Sequence, residues 1–478
     1  MSEFGVVIMA AGKGTRLRSA LPKVLHQVGG KALLLHVISA AATAVAMDDI
    51  TVVVGHQAEQ VQAATSATGV RYVLQPQQLG TGHALQCVRD WYAASAVPVP
   101  EHLLVLSGDV PLIRPETIAA LRDTHLRSGA SMTILTALPP DATGYGRVLR
   151  KQDSTGDVAG IVEQKSLTPE LLAQPERLRE INSGIYAFRA QDLFSRLGEL
   201  RNTNSAGEFY LTDVAAMLVA DGERVVAVAA DSVDEVLGAN TIAEMMHLDA
   251  SMRMDKARRL MAAGVTIFRP ETVTIDAGVE VGADTVLEPF TQLLGSTRIG
   301  SNCRVRSYSV IEDSTLGEGV LVRNGCVLAS STVAAGAQLG PYAHLRPGSR
   351  IGEHAHVGNF VETKNTVLGK GSKANHLTYL GDAVVGSGTN IGAGVITCNY
   401  DGVHKHKTNI GNNVFVGSDV ALVAPLTLED GSFVAAGSCI TDDVPSGTLA
   451  FGRSRQVNKV GWATKKQAVA AEKPTHEG

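Results

Sequence analysis

Apolar residues recur every six positions through the second half of the chain. Ile410, Val416, Leu422, Leu428, Val434 and Ile440 keep this spacing without a slip. Leu339, Leu345, Ile351 and Val357 keep it upstream, as do Val385 and Ile391. Gly follows several anchors, as in Ile351-Gly352, Val357-Gly358, Ile410-Gly411 and Val416-Gly417. A helix repeats about every 3.6 residues and a half-buried strand every two, so neither accounts for the pattern. A six-residue period suits a parallel β-helix, in which short flat strands meet at tight turns and stack along one axis. Each anchor then points into a narrow core, and a small residue turns the corner where a Cβ would be costly. The pattern starts near Val265, is clear by Ile299 and runs through Ile440. Between Asn399 and Ile410 it is broken by Tyr400-Asp401-Gly402-Val403-His404-Lys405-His406-Lys407, a loop expected to leave the coil. Insertions of this kind in repeat folds often carry function.

The first 240 or so residues are patterned differently. Gly5–Ala10, Ile50–Val54, Leu103–Leu106 and Ser131–Ala137 are continuous apolar runs, with helical stretches between them, one around Ala32–Ala46. This alternation predicts a mostly parallel α/β sheet, whose ligands bind beyond the carboxyl ends of the strands. The segments after Ala10 and after Leu106 are therefore the places to look for chemistry. From Thr241 to Ala263, Ile242, Met245, Met246, Met252, Leu260 and Met261 mix with many charges, which predicts one long helix ended by Gly264. The expected domains are 1–241 (α/β), 242–264 (a linker helix) and 265–478 (the β-helix, with a flexible polar tail after Trp462 that includes Lys465, Lys466, Glu472 and Lys473).

Length and composition agree. A chain of 478 residues is too long for one core. Aromatics are only 4 %, as a thin solenoid with little room for rings would give. A net charge of −5 argues against a general nucleic-acid binder. The five cysteines, Cys87, Cys303, Cys326, Cys398 and Cys439, are scattered without a CxxC pair, which predicts reduced thiols and no structural zinc. Met1-Ser2-Glu3-Phe4 leads straight into a strand, and no apolar run is long enough to span a bilayer. The expectation is a cytoplasmic protein with no membrane insertion.

Ala10-Ala11-Gly12-Lys13-Gly14-Thr15-Arg16-Leu17 follows the first strand. It does not satisfy the GxxxxGK[ST] phosphate loop, and Leu17 stands where the dinucleotide fingerprint needs its third Gly. Leu21-Pro22-Lys23, Gln78-Leu79-Gly80-Thr81-Gly82 and Ser107-Gly108-Asp109 also fall at expected strand ends. Together these segments resemble the sugar-phosphate nucleotidyltransferases. Joining a sugar phosphate to a nucleoside triphosphate brings like charges together, so cations and backbone N–H groups must neutralise them. Gly12 and Gly14 suit close backbone approach to phosphates, Arg16 offers a planar fork and Lys23 a point charge. Asp109 is a natural ligand for Mg²⁺. The likeness continues through Gly144-Tyr145-Gly146-Arg147, Ile161-Val162-Glu163-Gln164-Lys165, Ile181-Asn182-Ser183-Gly184 and Gly238-Ala239-Asn240. There it is nearest to the bifunctional bacterial N-acetylglucosamine-1-phosphate uridylyltransferase/glucosamine-1-phosphate N-acetyltransferases. The resemblance implies a Rossmann-like nucleotidyltransferase domain followed by a left-handed parallel β-helix. It also implies Arg16 and Lys23 as catalytic, Gly146, Glu163 and Asn182 on the amino-sugar, and Gln75, Gly80 and Thr81 on the uracil. Asn240 would join Asp109 on Mg²⁺, and Met9, Ala10, Ala11, Gly12, Ser107 and Gly108 would complete the substrate contacts.

Three segments of the solenoid half look like the acetyltransferase of the same family: Gly358–Lys364, Asn375–Asp382 and Asn390–Gly402. The one departure is Asn375 before His376, where the family has Gly. Acetyl transfer from a thioester needs a neutral amine, and hence a base that works near pH 7, for which histidine is the default. The resemblance implies His376 as that base, and Arg346, Lys364, Tyr379 and Asn390 around the sugar phosphate. Ala393, Ser418, Ala436 and Arg453 would line the acetyl-CoA groove, with Asn399 and Tyr400 facing the reacting centre. The implied substrates are glucosamine-1-phosphate, N-acetylglucosamine-1-phosphate, acetyl-CoA and UTP. The implied product is UDP-N-acetylglucosamine, which feeds peptidoglycan, lipopolysaccharide and lipid A synthesis, and the implied assembly is a homotrimer with acetyl sites between subunits. Three other readings stay open on the residues alone. One is a nucleotidyltransferase for another sugar with a regulatory solenoid, the second a solenoid metal enzyme using some of His344, His354, His356, His376, His404 and His406, and the third a trimerising scaffold.

Overall fold

A computed structural model describes residues 3–204 and 207–471. Met1, Ser2, Glu472 and Lys473, named in the expectations above, lie outside the described residues. The chain divides into two compact units, one reaching to Arg258 and taking in Ile275–Ala277, the other made of Arg259–Thr274 and the residues from Gly278 on.

The first unit is built on a nine-stranded sheet. Its central strand, Phe4–Met9, runs parallel to Ile50–Val54 on one side and to His102–Ser107 on the other. Val6, Val7 and Ile8 are fully buried, and so is all of Ile50–Val54, because helices cover both faces. Arg71–Leu74 extends the parallel part. The expectation of a mostly parallel sheet needs a correction beyond His102–Ser107, where Ile181–Arg189 runs antiparallel to both its neighbours, His102–Ser107 and Met132–Ala137. The helix expected over Ala32–Ala46 is shorter, Leu33–Ala41. Parallel pairing brings Met9 opposite Ser107, so the Gly-rich loop and the Asp109 turn leave the sheet side by side at its carboxyl end. Gly108 N donates to Met9 O at 2.9 Å and Ala10 N to Val53 O at 2.9 Å.

The connecting helix runs Ile242–Ala262, and Gly264 beyond it takes a positive φ of 92°. After it the second unit coils through three parallel sheets of eleven, ten and nine short strands, a left-handed parallel β-helix. The six-residue anchors Ile410, Val416, Leu422, Leu428 and Val434 are buried, as are Leu339, Leu345, Ile351, Val357, Val385 and Ile391. Two residues before many anchors stands a buried Ser or Thr, which the apolar pattern does not predict. Its hydroxyl donates to a carbonyl of the next coil, as Thr285 does to Gly300 O and Ser372 to Gly386 O, at 2.8 and 2.6 Å. Cys303 and Cys326 are buried and free, and burial pushes the Cys326 thiol up to about 11. Trp462–Ala471, expected as frayed, forms a helix. Among the described residues no helix is long and apolar enough to cross a membrane, and no group of three or more His, Cys, Asp or Glu could hold a metal ion.

At the amino end of the first unit's sheet, away from the Asp109 turn, two histidines meet. His102 Nδ1 lies 3.1 Å from His125 Nε2, and His125 Nδ1 lies 2.9 Å from Thr133 Oγ1. Phe4 stacks on the His102 ring. Burial, and then the neighbouring His102, lower His125 to about 4 from its ordinary 6.5. The unfolded chain therefore takes up this proton first, and the stability it gives is lost as pH falls from 6.5 toward 4. With Trp462→Phe leaving Trp91 as reporter, urea unfolding should weaken by about 2 kcal/mol between about pH 7 and pH 5. His125→Gln should flatten that slope; an equally steep fall in the variant would show that other groups cause it.

Candidate functional site

Five of the expected residues converge at the carboxyl end of the first sheet. Lys23 forms an ion pair with Asp109, and its Nζ also donates to Asn240 Oδ1 at 2.9 Å. Arg16 Nη2 donates to the same Asn240 oxygen at 2.7 Å, while Ser107 Oγ donates to Asp109 Oδ1 at 2.7 Å. The local chain is shaped for this. Gly14 has φ 60°, and a Cβ there would sit 2.7 Å from Lys23 Cβ. At Gly238 a Cβ would lie 3.0 Å from Asp109 Oδ2, so a larger residue would crowd the carboxylate. The Gly12 backbone is open, with nothing within 4 Å of a built Cβ.

The residues expected around the base and the sugar form two further groups. Gln75 is buried, its Nε2 donating to Gly80 O at 3.0 Å, and Thr81 Oγ1 accepts from Leu211 N at 3.1 Å. Gly80 ends the approach to the helix Thr81–Ala94, and a Cβ on it would meet Phe209 O at 2.7 Å. Asn182 N donates to Gly146 O at 2.9 Å, and both Glu163 carboxylate oxygens lie 3.5 Å from where a Gly146 Cβ would be. The sequence reading missed two partners here. Thr212 Oγ1 donates to Glu163 Oε1 at 3.2 Å, and Asn182 Nδ2 to the Tyr186 hydroxyl at 2.9 Å. Burial pushes the Tyr186 phenol far above its ordinary range, so it stays protonated.

In the second unit, strand register sorts the expected residues into columns. Asn359 pairs with His376, and Ala374, Ile391, Val416 and Val434 pair in series. Two residues past those anchors come His376, Ala393, Ser418 and Ala436, stacked at one corner. Backbone bonds tie the stack, Asp419 N to Ala393 O at 2.7 Å and Gly437 N to Ser418 O at 2.8 Å. Val434 pairs with Ala450, and Arg453, exposed, follows three residues later, next to Gly452, whose O accepts from Cys439 N at 3.0 Å. Asn390 belongs to the same sheet, between Lys373 and Phe415. The corner opens on a cavity of about 200 Å³ lined by Arg323, Gln338, His356, Asn359, Asn375 and His376, of which Arg323 and Gln338 were unforeseen and His356 was named only as a candidate metal ligand. Asn375, in the column of Gly358 and Gly392, itself lines this cavity.

A second group lies along the next sheet and the corner beyond it. Leu345 pairs with Thr363, so Arg346 and Lys364 follow one another, and Lys364 pairs with Gly381, against which the Tyr379 hydroxyl lies. Arg346 Nη1 donates to Glu362 Oε1 at 2.9 Å. Asn399 Nδ2 bonds Asp382 Oδ2, and the Tyr400 hydroxyl donates to Gly402 O at 2.6 Å. Lys405 of the inserted loop stands beside Lys364 and, with Arg346, makes the Lys364 ammonium easier to deprotonate than usual. Burial works against the Asp382 carboxylate, but hydrogen bonds from Asn365 and Asn399 and the charges of Lys405 and Lys364 hold it below its ordinary range. Lys405 was visible in sequence only as a member of the inserted loop.

Comparison with known proteins adds to this geometry. Residues 6–196 match the model of the MobA-like NTP transferase domain. The chain is 57 % identical over 467 residues to the bifunctional protein GlmU of Koribacter versatilis, with 98 % of each chain covered. It is 46 % identical to the bifunctional protein GlmU of Trichlorobacter lovleyi, covering 98 % of this chain and 99 % of that one. The bifunctional protein GlmU of Shouchella clausii is likewise 46 % identical, over 97 % of this chain and 100 % of its own.

Proposed function

Because the chain belongs to the family of bifunctional GlmU proteins, we propose that it makes UDP-N-acetylglucosamine in two steps on two units. The second unit moves an acetyl group from acetyl-CoA to glucosamine-1-phosphate. The first moves UMP from UTP to the N-acetylglucosamine-1-phosphate so formed, releasing pyrophosphate. The observation that carries this reading is the presence of two separate polar clusters of different chemistry. One gathers oxygen ligands and cations, Arg16, Lys23, Asp109 and Asn240; the other aligns an imidazole, His376, with a row of small residues. The alternatives of a regulatory solenoid, a metal solenoid or a mere scaffold give no account of both.

In the uridylyl step the phosphates lie over Gly12–Gly14, within reach of Arg16 and Lys23, which balance the charge that builds where the sugar phosphate meets the α-phosphorus. Mg²⁺ fits beside them. The Asp109 and Asn240 oxygens both bear on the single Lys23 ammonium, so one cation can reach both, and oxygen donors suit a hard ion that keeps waters and phosphates as its other ligands. When bound, it would draw charge from the triphosphate. Gln75, Gly80 and Thr81 hold the uracil, and Gly146, Glu163 and Asn182 the amino-sugar. In the acetyl step His376 takes a proton from the sugar ammonium. The free amine nitrogen then bonds to the thioester carbon, the C–S bond breaks, and the coenzyme leaves as its thiol after picking up a proton. Ala393, Ser418 and Ala436 give the pantetheine arm a smooth path along the coils.

The assembly we propose is a homotrimer. His376 and the cations Arg346 and Lys364 stand on two different faces of the coil, on either side of the turn at Leu377, so a sugar phosphate lying between two copies can meet the imidazole of one and the cations of the other. Both reactions are assigned to the cytoplasm, where UTP and acetyl-CoA are made.

Given glucosamine-1-phosphate, acetyl-CoA, UTP and Mg²⁺, the purified chain should yield UDP-N-acetylglucosamine, pyrophosphate and the free coenzyme, identified by mass. Asp109→Ala should slow uridylyl transfer about 100-fold or more and spare thiol release; His376→Ala should do the reverse. If each variant lost both activities, the division of labour would be wrong. Light scattering should give about three times the 50.1 kDa chain mass. A monomer with full acetyl transfer would refute the shared site.

A further inference from the structure

The loop Tyr400–Lys407 lengthens one coil. Ser387 N donates to Asn412 across 25 residues, whereas Thr389 N reaches back to Ser372 across 17. Eight extra exposed residues would ordinarily fray, yet this loop is tied from inside. Asp401 Oδ1 accepts from Val403 N at 2.8 Å and His404 N at 2.6 Å, and its Oδ2 lies 2.7 Å from His406 Nε2. Tyr400 and Lys405 pair across the loop as an antiparallel bridge, and His406 N donates to Asn399 O at 2.8 Å. The His404 N–H first, then the His406 imidazole and the Val403 N–H, pull the Asp401 carboxyl down to about 2, so it stays ionised near neutral pH.

The effect falls on Lys405. Held between the bridge and His406, it sits beside Lys364 and near the Asp382 carboxylate, while Arg346 faces Lys364. Two ammonium groups side by side repel, and a long flexible lysine would normally swing away into water. We infer that the Asp401–His406 pair is a positioning clip, which keeps Lys405 against Lys364 so that the pair meets the phosphate of the acceptor sugar already ordered. A phosphate dianion repays the repulsion when it binds, and ordering the cations beforehand removes that cost from the binding event. The inference rests on the reading of glucosamine-1-phosphate as acetyl acceptor.

Steady-state acetyl transfer by the full-length protein tests it. His406→Ala and Asp401→Ala should raise KM for glucosamine-1-phosphate by about 5- to 20-fold, with kcat within about twofold and KM for acetyl-CoA unchanged. His406→Gln, which keeps a donor near Asp401, should recover most of the loss, and uridylyl transfer by the same variants should not move. Lys405→Ala should raise KM by itself, and Lys405→Ala/His406→Ala should be no worse than Lys405→Ala, because the clip acts only through that lysine. Additive losses in the double variant, or an unchanged KM in His406→Ala while Lys405→Ala raises it, would overturn the clip. An unchanged KM in Lys405→Ala would also overturn it, leaving nothing to position, while acetyl transfer itself stood. Only a wild-type chain that failed to acetylate the sugar would remove the parent reading.

Discussion

The spacing between coils constrains everything else in the second unit. Parallel strands stack about 4.8 Å apart, and at a corner that leaves no room for a side chain aimed along the axis. A Cβ on Gly352 would sit 2.7 Å from the Gly369 carbonyl carbon, on Gly369 2.5 Å from Gly386, and on Gly386 2.6 Å from Gly411. Glycine at these corners lets the backbones stack this closely. Once the pitch is fixed, the core is fixed too: each coil offers one thin apolar layer, and the next coil must bring its own anchor to the same height. The buried hydroxyls of Thr285, Ser372, Thr378 and Thr389 fit the same constraint, each donating to a carbonyl of the next coil, whereas those of Thr408 and Ser432 have no such partner. A hydroxyl without such a partner would cost about 1–3 kcal/mol of unsatisfied burial.

The same pitch decides how this unit can do chemistry. A position repeated on every coil becomes a straight column, so residues distant in sequence align without any loop being built for them. His376, Ala393, Ser418 and Ala436 are such a column. The first unit works the other way. Its sheet is a platform, and its site is assembled from loops that leave neighbouring strand ends, so Arg16, Lys23, Asp109 and Asn240 meet although they are up to 224 residues apart. Columns give long regular grooves suited to an extended thiol carrier; converging loops give a compact nest of charge suited to phosphates.

How far the sequence revealed these arrangements follows from the range of the interactions involved. The six-residue anchors were legible because their burial depends on local spacing, and Ile50–Val54 is a strand from end to end because nothing interrupts its apolar run. The helix Leu33–Ala41 stops short of Ala46, and its end was not legible because Ala42–Ala46 has neither Gly nor Pro to mark it. Ile181–Arg189 was read as a motif rather than a strand, since its pairing with two distant neighbours leaves no periodic trace. Single residues behave alike. The Gly-rich loop, Asp109 and His376 carry motifs, whereas Thr212, Tyr186 and Lys405 matter only through partners that the fold brings to them.

The charges at the two sites are balanced in opposite ways, and this bears on how each meets its substrate. In the first unit Lys23 is already paired with Asp109 and shares the Asn240 oxygen with Arg16. On the proposed reading, a triphosphate arriving here would compete for a lysine that is already occupied, and the Asp109 carboxylate it leaves would favour a cation arriving with the phosphates. In the second unit the acidic partners that Arg346, Lys364 and Lys405 meet among the described residues are Glu362 and Asp382, so positive charge is in excess before any ligand comes. That site needs no added cation to hold a sugar phosphate, because the chain supplies the whole counter-charge. The difference follows from the reactions: a triphosphate cleaved between its phosphates needs neutralisation that moves with the charge, while a phosphate that only anchors an acceptor needs charge that stays still.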